Sequence, residues 1–359
     1  MTDTLPHGVA HCPDVEPALD DEEFPELLRA GTALVEPVLR EVVGRLHVSL
    51  ASVCRYHLGW ESDGGRAPSV VRAGKQIRPA LALLSVRSVG APERFAASAG
   101  TAVELVHQLS LLHDDIMDGD TERRGRSTAW AHFGTGAAVL TGDALVVQAF
   151  ATILHARAPG ASAATEELIA AVEQMVAGQA EDLALEHRSA HEVSVARYVG
   201  MARGKTGALF GCAAALGAVL AQAPPPVVRA LRGAGSDLGV AFQILDDVLG
   251  LWGDGALTGK PVGTDLVRGK KTLPLLLAAG SDTADGRRLA TLLGPAPLPP
   301  ALVPEAMGLL DATRSRERAE EVAARHVASA LAALDAAELP MDVRQQWHSL
   351  SGGLSQRRS

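Results

Sequence analysis

Apolar residues recur every three to four positions through long segments from Leu27 onward, and no segment alternates with a period of two for long enough to form a sheet. Loop signals rich in Gly and Pro interrupt the pattern at residues 64–65, 159–160 and 224–226. Aromatic residues make up only 3% of the chain, whereas Ala, Leu and Val are abundant. This mixture favours helices packed on helices, so we expect an all-α fold.

The net charge of −9 is concentrated at one end of the chain. Residues 1–28 hold eight acidic residues and no Lys or Arg, which leaves the remaining residues nearly neutral. A nearly neutral body has no basic face for nucleic acid, so we expect no nucleic-acid partner. We expect residues 1–28 to be a disordered acidic tail and residues 29–359 to form one all-helical domain.

The cysteines and the apolar segments indicate where the protein resides. Three scattered cysteines suit neither a zinc site nor a disulfide framework, and the N-terminus lacks the basic start and apolar run of a signal peptide. The most apolar stretch, Thr206 to Ala221, is shorter than a membrane span and is interrupted by glycines. We therefore expect a cytoplasmic protein with no transmembrane segment, in which this stretch is a buried core helix.

Two further helices can be placed from their patterns. Thr101 and Glu104 have the spacing of a capping box, which predicts that a helix begins there and runs to His113. Residues 318–334 combine an apolar stripe with charges opposite, which predicts an amphipathic helix. The stripes of the two helices are, respectively, Val103, Val106, Leu109 and Leu112, and Val322, Val327, Leu331 and Leu334.

Acidic residues follow two apolar helical segments. Asp114, Asp115 and Asp118 end the first, where Asp114 and Asp118 lie four apart and share one helix face. Asp246 and Asp247 end the second. Crowded carboxylates suit Mg²⁺ or Mn²⁺, and Mg²⁺ completes its shell with phosphate oxygens and water. A solvated helix end is the alternative for one such cluster, but two clusters could face one cavity and hold several ions.

Lysine is rare in this chain, and its positions are informative. Only five of the 33 basic residues are Lys, and all five lie in short Gly-flanked or polar motifs. A compact ammonium beside flexible backbone suits diphosphate binding, and the neighbouring pair Arg123-Arg124 supplies planar forks. Solvated surface lysines are the alternative. The five are Lys75, Lys205, Lys260, Lys270 and Lys271.

These motifs resemble the trans-isoprenyl diphosphate synthase family. The matching segments keep the family's order over about residues 70–275 and comprise residues 74–79, 111–125, 141–143, 178–182, 205–207 and 242–271. The resemblance implies a single-domain bundle of long helices around a deep central cavity, usually as a homodimer. It also implies an enzyme that joins an allylic diphosphate to isopentenyl diphosphate.

The resemblance also implies a role for individual residues. Asp114 and Asp118 would bind Mg²⁺ on the allylic diphosphate, and Asp246 would hold a third ion from the opposite wall, with Mn²⁺ as a substitute. With Asp115, Asp247 and Lys205, these acids form the expected catalytic set. The allylic diphosphate would also contact Arg123, Lys205 and Lys260, with Thr206 and Gln243 close by, and Lys270 is a further substrate-binding residue. Isopentenyl diphosphate would be held by Lys75, Arg78, His107 and Arg124.

One position departs from the family pattern. The second acidic motif has Gly250 where the family has a fifth-position acid, although Asp247, Asp254 and Asp265 remain nearby.

Two rival functions share part of this pattern. A class I terpene cyclase shares the expected fold and acidic site. It needs no second diphosphate site, however, and it lines its cavity with aromatics, of which this chain has twelve. A non-catalytic partner subunit would have lost the first acidic motif or the lysines.

Product length depends on the residues that precede Asp114. In the resembling family, aromatics four or five residues before this acid stop the growing chain, but here these positions are Ser110 and Leu109. We expect the floor of the cavity near Val106 or at Phe150. The expected product is therefore geranylgeranyl diphosphate (C20), with farnesyl diphosphate (C15) as the alternative.

Overall fold

Helices form nearly all the regular structure in the residues that the computed structural model describes, which are 22–61, 77–253 and 263–355. The first half contains α1 Glu23–Gly44, α2 Val48–His57, α3 Ile77–Arg87, α4 Arg94–Met117, α5 Ala129–Phe133, α6 Thr135–His155, α7 Ala161–Glu186 and α8 Val195–Ala202. The second half contains α9 Ala208–Leu220, α10 Pro225–Trp252, α11 Thr264–Arg268, α12 Leu273–Ala279, α13 Ala284–Leu292, α14 Val303–Ala312, α15 Ser315–Asp335 and α16 Met341–Ser355.

Helix α9 lies at the centre of the bundle. It packs against α3, α4, α7 and α10, and nearly all of its residues are buried. Its small side chains, five Ala and two Gly among thirteen residues, let these neighbours approach closely. The prediction that this apolar stretch is a buried core helix is confirmed.

Helix α10 connects two hydrophobic cores. Leu231 and Leu238, in its first half, pack into the core formed by α1, α3, α4, α6, α7 and α9. Ile244 and Leu251, in its second half, pack into a core with α8 and the helices α12 to α15. A helix of 28 residues is about 42 Å long, which is enough to span both. Asp246 and Asp247 therefore lie on the part of α10 that packs into the second core.

The helix limits agree with the sequence in one case and differ in two. Helix α15 contains the predicted amphipathic segment and packs on α10 with Leu334 buried. The capping box at Thr101 is wrong, because α4 begins seven residues earlier, at Arg94. Phe95, Ala96 and Ala99 are buried before Thr101, and their packing stabilises a helix that continues past this polar residue. Helix α1 begins at Glu23, so the last residues of the expected tail are helical, and residues 1–21 lie outside the described ones.

Two short features interrupt the helical pattern. Residues Glu122–Arg123 (β1) pair antiparallel with Arg126–Ser127 (β2) in a two-stranded hairpin, the only sheet among the described residues. Helix α6 is the one described helix that is long and apolar enough to cross a membrane, and 39% of its most apolar window is buried. It packs along α4 on one side and leaves apolar side chains exposed on the other.

Candidate active site

The first acidic cluster lies at the C-terminal end of α4, where the helix ends at Met117 and Asp118 is its cap. Burial raises the pKa of Asp114, the ammonium of Lys205 opposes this shift, and the carboxylate of Asp118 adds to it. A buried acid beside a second acid is stable as an anion only when cations lie close by. The two side chains therefore form a site that attracts positive charge.

Asp115 occupies a different environment from its neighbours. Its side chain is buried, and its Oδ1 accepts a hydrogen bond from Arg123 Nε at 2.7 Å and lies 2.7 Å from Nη2 of the same guanidinium. A charge-assisted contact of two guanidinium nitrogens with one carboxylate oxygen restricts the orientation of the Arg123 side chain. Asp115 thus holds Arg123 in place, and the expected diphosphate contact of Arg123 would be made by a side chain that is already oriented.

Lys205 lies on an irregular turn between α8 and α9. Residues Arg203–Gly207 form a π-helical turn, a feature that is frequent at functional sites. A side chain at Gly178 of α7 would place its Cβ 2.1 Å from the backbone nitrogen of Lys205, so only glycine permits this close approach. Across this contact, Lys205 Nζ donates to Asp182 Oδ2 at 2.6 Å. Burial opposes the charge of Lys205, but the carboxylates of Asp182 and Asp114 outweigh it and raise its pKa.

Lys270 joins two helices of this site. Its Nζ lies 3.3 Å from Asp118 Oδ1 on α4, and 3.3 Å from Asp182 Oδ2 and 2.5 Å from Glu186 Oε1 on α7. Burial opposes its charge, yet the nearby carboxylates raise its pKa. Lys271 is buried instead and donates to the backbone oxygens of Glu186 and Gly269. The structure therefore brings Asp114, Asp118, Lys205 and Lys270 together around Asp182.

The two acids of the second motif lie in different surroundings. Asp246 is exposed, whereas Asp247 is buried and accepts hydrogen bonds from Tyr198 Oη at 2.5 Å and from Gln243 Nε2 at 2.9 Å. Burial raises the pKa of Asp247 to about 7, and its bond from Tyr198 works in the opposite direction. Thr206 Oγ1 donates to Gln243 Oε1 at 2.6 Å. The structure thus connects Thr206 and Gln243 directly to Asp247.

The position of Gly250 is explained by a neighbouring carboxylate. A Cβ at Gly250 would lie 2.5 Å from Asp265 Oδ2, which belongs to α11. Gly250 is one turn beyond Asp246 on the same face of α10, so Asp265 brings an acidic group to the place where the family has a fifth-position acid.

Basic residues line a second region beside the end of α2. Arg78 lies at the start of α3, and burial lowers its pKa to about 10 while Glu104 and Asp246 oppose the shift. Burial also lowers the pKa of His107, and the positive charges of Arg78 and Arg124 add to this. Arg78, His107 and Arg124, which the resemblance assigns to isopentenyl diphosphate, therefore share one environment.

Arg124 sits in a strained turn. It and Gly125 connect β1 to β2 with φ values of 55° and 74°, so both residues are left-handed. Such a turn favours Asn or Gly, and an arginine there costs about 1 kcal/mol. Strain of this kind is common where a side chain has a function.

The hairpin is anchored to α2. Arg126 Nη2 donates to the backbone oxygen of Glu61 at 2.9 Å, and Tyr56 Oη donates to the backbone oxygen of Ser127 at 3.0 Å. A cavity of about 60 Å³ lies between the hairpin, α2 and α4. Its polar lining includes His57, Gln108, Asp115, Arg123, Arg124 and Arg126.

The remaining predicted residues have different standings. Lys75, Asp254 and Lys260 lie outside the described residues. Leu109 is 8% exposed, whereas Leu105 and Val106 on the same helix are completely buried. Ser110 is half-buried and its hydroxyl donates to the backbone oxygen of His107 at 2.8 Å.

Sequence reasoning missed several residues of the site. Glu186 could have been found, because it follows Asp182 by four positions on α7 and so shares its face. Glu104 and Gln108 have the same spacing on α4. Tyr198 carried no local signal, because its partner Asp247 is 49 residues away in the chain.

The acids fit a metal that shares its ligands with a substrate. Among the described residues, no group of three His, Cys, Asp or Glu side chains is already arranged to hold an ion. Mg²⁺ is usually held by one or two carboxylates together with substrate phosphates and water. Asp114 and Asp118 on α4, and Asp246 on α10, are the residues that would supply these carboxylates.

Comparison with known proteins identifies the family. The sequence profile of the polyprenyl synthetase family matches residues 67–310. The chain is 42% identical over 260 residues to a (2E,6E)-farnesyl diphosphate synthase of Mycobacterium tuberculosis, covering 72% of each. It is 39% identical over 325 residues to a geranylgeranyl diphosphate synthase of the same organism, covering 88% of this chain and 90% of that protein.

Solved structures agree with these relatives. A polyprenyl synthetase from Streptomyces coelicolor matches with a TM-score of 0.86 and 38% identity, covering 92% of this chain and 99% of that one. A geranylgeranyl pyrophosphate synthase from Corynebacterium glutamicum, solved with isoprenyl diphosphate and magnesium, matches with a TM-score of 0.76 and 26% identity, covering 95% and 100%. The fold is thus that of the all-α isoprenoid synthases. The chain belongs to the polyprenyl synthetase family, and it is a trans-prenyl diphosphate synthase, a prenyltransferase.

Proposed function

We propose that the protein condenses an allylic diphosphate with isopentenyl diphosphate in a Mg²⁺-dependent reaction and releases all-trans geranylgeranyl diphosphate. One observation carries the two-substrate proposal: the described residues form two separate cationic groups. Lys205 and Lys270 lie with the acids of α4 and α7, whereas Arg78 and Arg124 lie around His107 beside the hairpin. Two diphosphates need two such groups, and a cyclase needs one.

The residues of the site would divide the work of the reaction. Mg²⁺, when bound, would neutralise the charge that develops on the departing diphosphate. Lys205, on the turn before α9, and Lys270, in the segment before α12, would both bind that diphosphate. The allylic C–O bond would then break towards a carbocation. Arg78 and Arg124 would hold isopentenyl diphosphate with its double bond beside the cation. We assign the final proton to an oxygen of the released diphosphate.

We propose three Mg²⁺ ions, held by Asp114 and Asp118 on one wall and by Asp246 on the other, with Mn²⁺ as a substitute. The donor chemistry supports this, because each wall offers carboxylates but no described cluster of three, so substrate oxygens would complete each shell. The carboxylate of Asp265 beside Gly250 supports the third ion from the α10 side.

The C20 product is proposed from the residues near the end of α4. Leu109 retains some exposure, whereas Leu105 and Val106, about one turn earlier on the same helix, are completely buried, which supports the place of Leu109 on the wall of a tunnel. Leu109 and Ser110 are both smaller than the aromatics that stop shorter chains. The relatives include enzymes named for both C15 and C20 products, so product analysis is the decisive measurement.

Product analysis of purified protein with Mg²⁺, isopentenyl diphosphate and each of several allylic primers tests this proposal. We expect C20 as the main product, Leu109→Tyr to shift it towards C15, and Leu109→Ala to lengthen it. Each turn of helix adds about 5 Å of tunnel, roughly one isoprene unit, so a change at one position should shift the product by about one unit. An unchanged distribution in both variants would place the floor elsewhere. Consumption of the allylic primer without isopentenyl diphosphate would favour a cyclase.

We also propose that the protein is a homodimer that uses the exposed faces of α6 and α7. Leu140, Val147 and Leu154 on α6 are spaced by seven residues and are 58%, 62% and 55% exposed. Ile169 and Val176 on α7 have the same spacing and are also exposed. A period of seven keeps apolar side chains on one side of a helix, as in helices that pack against a partner.

A further inference from the structure

Four side chains form a continuous chain of hydrogen bonds behind the diphosphate-binding groups. Tyr198 Oη of α8 donates to Asp247 Oδ2 of α10 at 2.5 Å, and Gln243 Nε2, one turn earlier on α10, donates to Asp247 Oδ1 at 2.9 Å. Thr206 Oγ1, next to Lys205 on the π-helical turn, donates to Gln243 Oε1 at 2.6 Å. The chain thus runs from a buried tyrosine to the turn that carries Lys205.

The direction of each bond follows from the chemistry of Asp247. In its ionised form the Asp247 carboxylate can only accept hydrogen bonds, so it receives both the Tyr198 hydroxyl and an N–H of Gln243. This selects one of the two orientations of the Gln243 amide, with Nε2 towards Asp247 and Oε1 towards Thr206. Gln243 Nε2 carries a second N–H besides the one that it donates to Asp247. The Thr206 proton is already committed to Gln243.

Tyr198 determines how the carboxylate is oriented. Its side chain is 1% exposed, and burial together with the charge of Asp247 raises its pKa well above the usual value, so it remains a hydroxyl donor. The backbone N–H of Leu273 approaches the same oxygen, Asp247 Oδ2, at 3.4 Å. With Oδ2 held from this side, Oδ1 faces Gln243.

We propose that Tyr198 is a positioning residue for allylic diphosphate binding: through Asp247 it fixes the Gln243 amide with an N–H facing the diphosphate, and it acts together with the turn that bears Thr206 and Lys205. This inference rests on the proposed function. Without the tyrosine hydroxyl the carboxylate can rotate, and the amide can turn its oxygen towards the diphosphate. An oxygen facing an anion repels it, so affinity falls although packing is unchanged.

The chain contains a matched control, because it has only two tyrosines. Tyr198→Phe and Tyr56→Phe each remove one hydroxyl, but Tyr56 donates to the hairpin on the other side of the site. We expect Tyr198→Phe to raise KM for the allylic diphosphate about tenfold, the scale of one hydrogen bond to a charged group. Its KM for isopentenyl diphosphate should change by less than about twofold, and Tyr56→Phe should leave the allylic KM unchanged.

A second variant tests the direction of the chain. In Asp247→Asn the new amide donates towards Gln243 and forces the Gln243 amide to turn, so the allylic KM should rise as in Tyr198→Phe. The double variant should add little to either single one, because both act through the same amide. Calorimetric binding of an allylic thiolodiphosphate, which ionises slowly, should show the same loss of affinity. KM does not depend on the fraction of folded enzyme, so partial unfolding would not imitate this result.

The outcomes separate the inference from the proposed function. An unchanged allylic KM in Tyr198→Phe, in an active wild-type background, would overturn the positioning role. Equal rises in both KM values with a lower Tm would also overturn it, because they indicate a general structural defect. A wild-type protein that makes no prenyl diphosphate would overturn the proposed function itself.

Discussion

Asp114 illustrates how one residue can serve binding at the expense of stability. Burial raises its pKa, so folding disfavours its ionised form. The sign follows: as pH rises from the unfolded pKa through the folded one, the metal-free protein loses stability, and at pH 7 the ionised Asp114 is a net cost. Bound cations together with a diphosphate would stabilise the ionised carboxylate and offset this cost.

Asp114→Asn should therefore separate activity from stability. We expect kcat to fall by about 10²-fold or more, because we assign Asp114 to the Mg²⁺ that would neutralise the departing diphosphate. In EDTA, the Tm of the variant should equal or exceed that of wild type. Added Mg²⁺ with inorganic pyrophosphate should raise the Tm of wild type but not that of the variant, and differential scanning calorimetry measures both.

Asp115→Asn is the matched control for this experiment. Asp115 is buried and paired with Arg123, so its loss leaves a guanidinium without its partner and should lower Tm even in EDTA. If Asp114→Asn lowered Tm as much as Asp115→Asn does, the idea that Asp114 is held in readiness for a metal would be wrong.

The residues that sequence could identify are those whose chemistry shows in a short motif. Three such features are visible without knowing the fold: the acids of α4, the spacing of Asp114 and Asp118, and the rarity of lysine. The differing surroundings of Asp246 and Asp247, by contrast, depend on Tyr198, which is distant in the chain. Likewise, the sequence shows Gly250 only as the absence of the family's acid, whereas the fold places Asp265 beside it. Contacts between distant segments have no local pattern.

At the scale of elements, sequence predicted helices well and their irregularities poorly. The apolar stretch of α9 and the stripe of α15 were clear, because burial follows a helical period. The start of α4 was misplaced, because packing of Phe95 and Ala99 outweighs a local capping signal. The π-helical turn at Lys205 depends on the approach of α7 at Gly178, which is a tertiary effect.

The hairpin gives a prediction at this scale. Arg124 is left-handed, and Asn is preferred at its turn position, so Arg124→Asn should relieve about 1 kcal/mol of strain and raise Tm by about 2 °C. The same change removes a cation from the isopentenyl diphosphate group, so KM for that substrate should rise about tenfold. Thermal melting and initial rates measure the two effects.

Arg157→Asn provides the control, because Arg157 is also left-handed, with φ of 48°, and is exposed outside the site. It should raise Tm by a similar amount and leave both KM values unchanged. If Arg124→Asn left KM for isopentenyl diphosphate unchanged, the strained turn would have no role in binding that substrate.

At the scale of the whole molecule, one face of the bundle is left uncovered by the described residues. The outward side chains of α6 and α7 are apolar at positions seven apart, and α6 has the composition of a membrane helix. Exposed apolar stripes of this kind mark interaction surfaces. We propose a second copy of the same chain for this face, because two such helix pairs would bury both stripes.

The dimer can be tested with one substitution that costs no internal packing. Val147 is 62% exposed, so Val147→Arg should leave the fold intact while placing a charge in the middle of the stripe, and the protein should sediment as a monomer. Val48→Arg, at a residue 72% exposed on α2, is the matched control and should remain a dimer. Light scattering and sedimentation at several concentrations give the mass, and melting curves confirm folding. A monomeric wild type, a dimeric Val147→Arg, or a wild type that floats with lipid vesicles would each contradict the assignment of this face to a second copy.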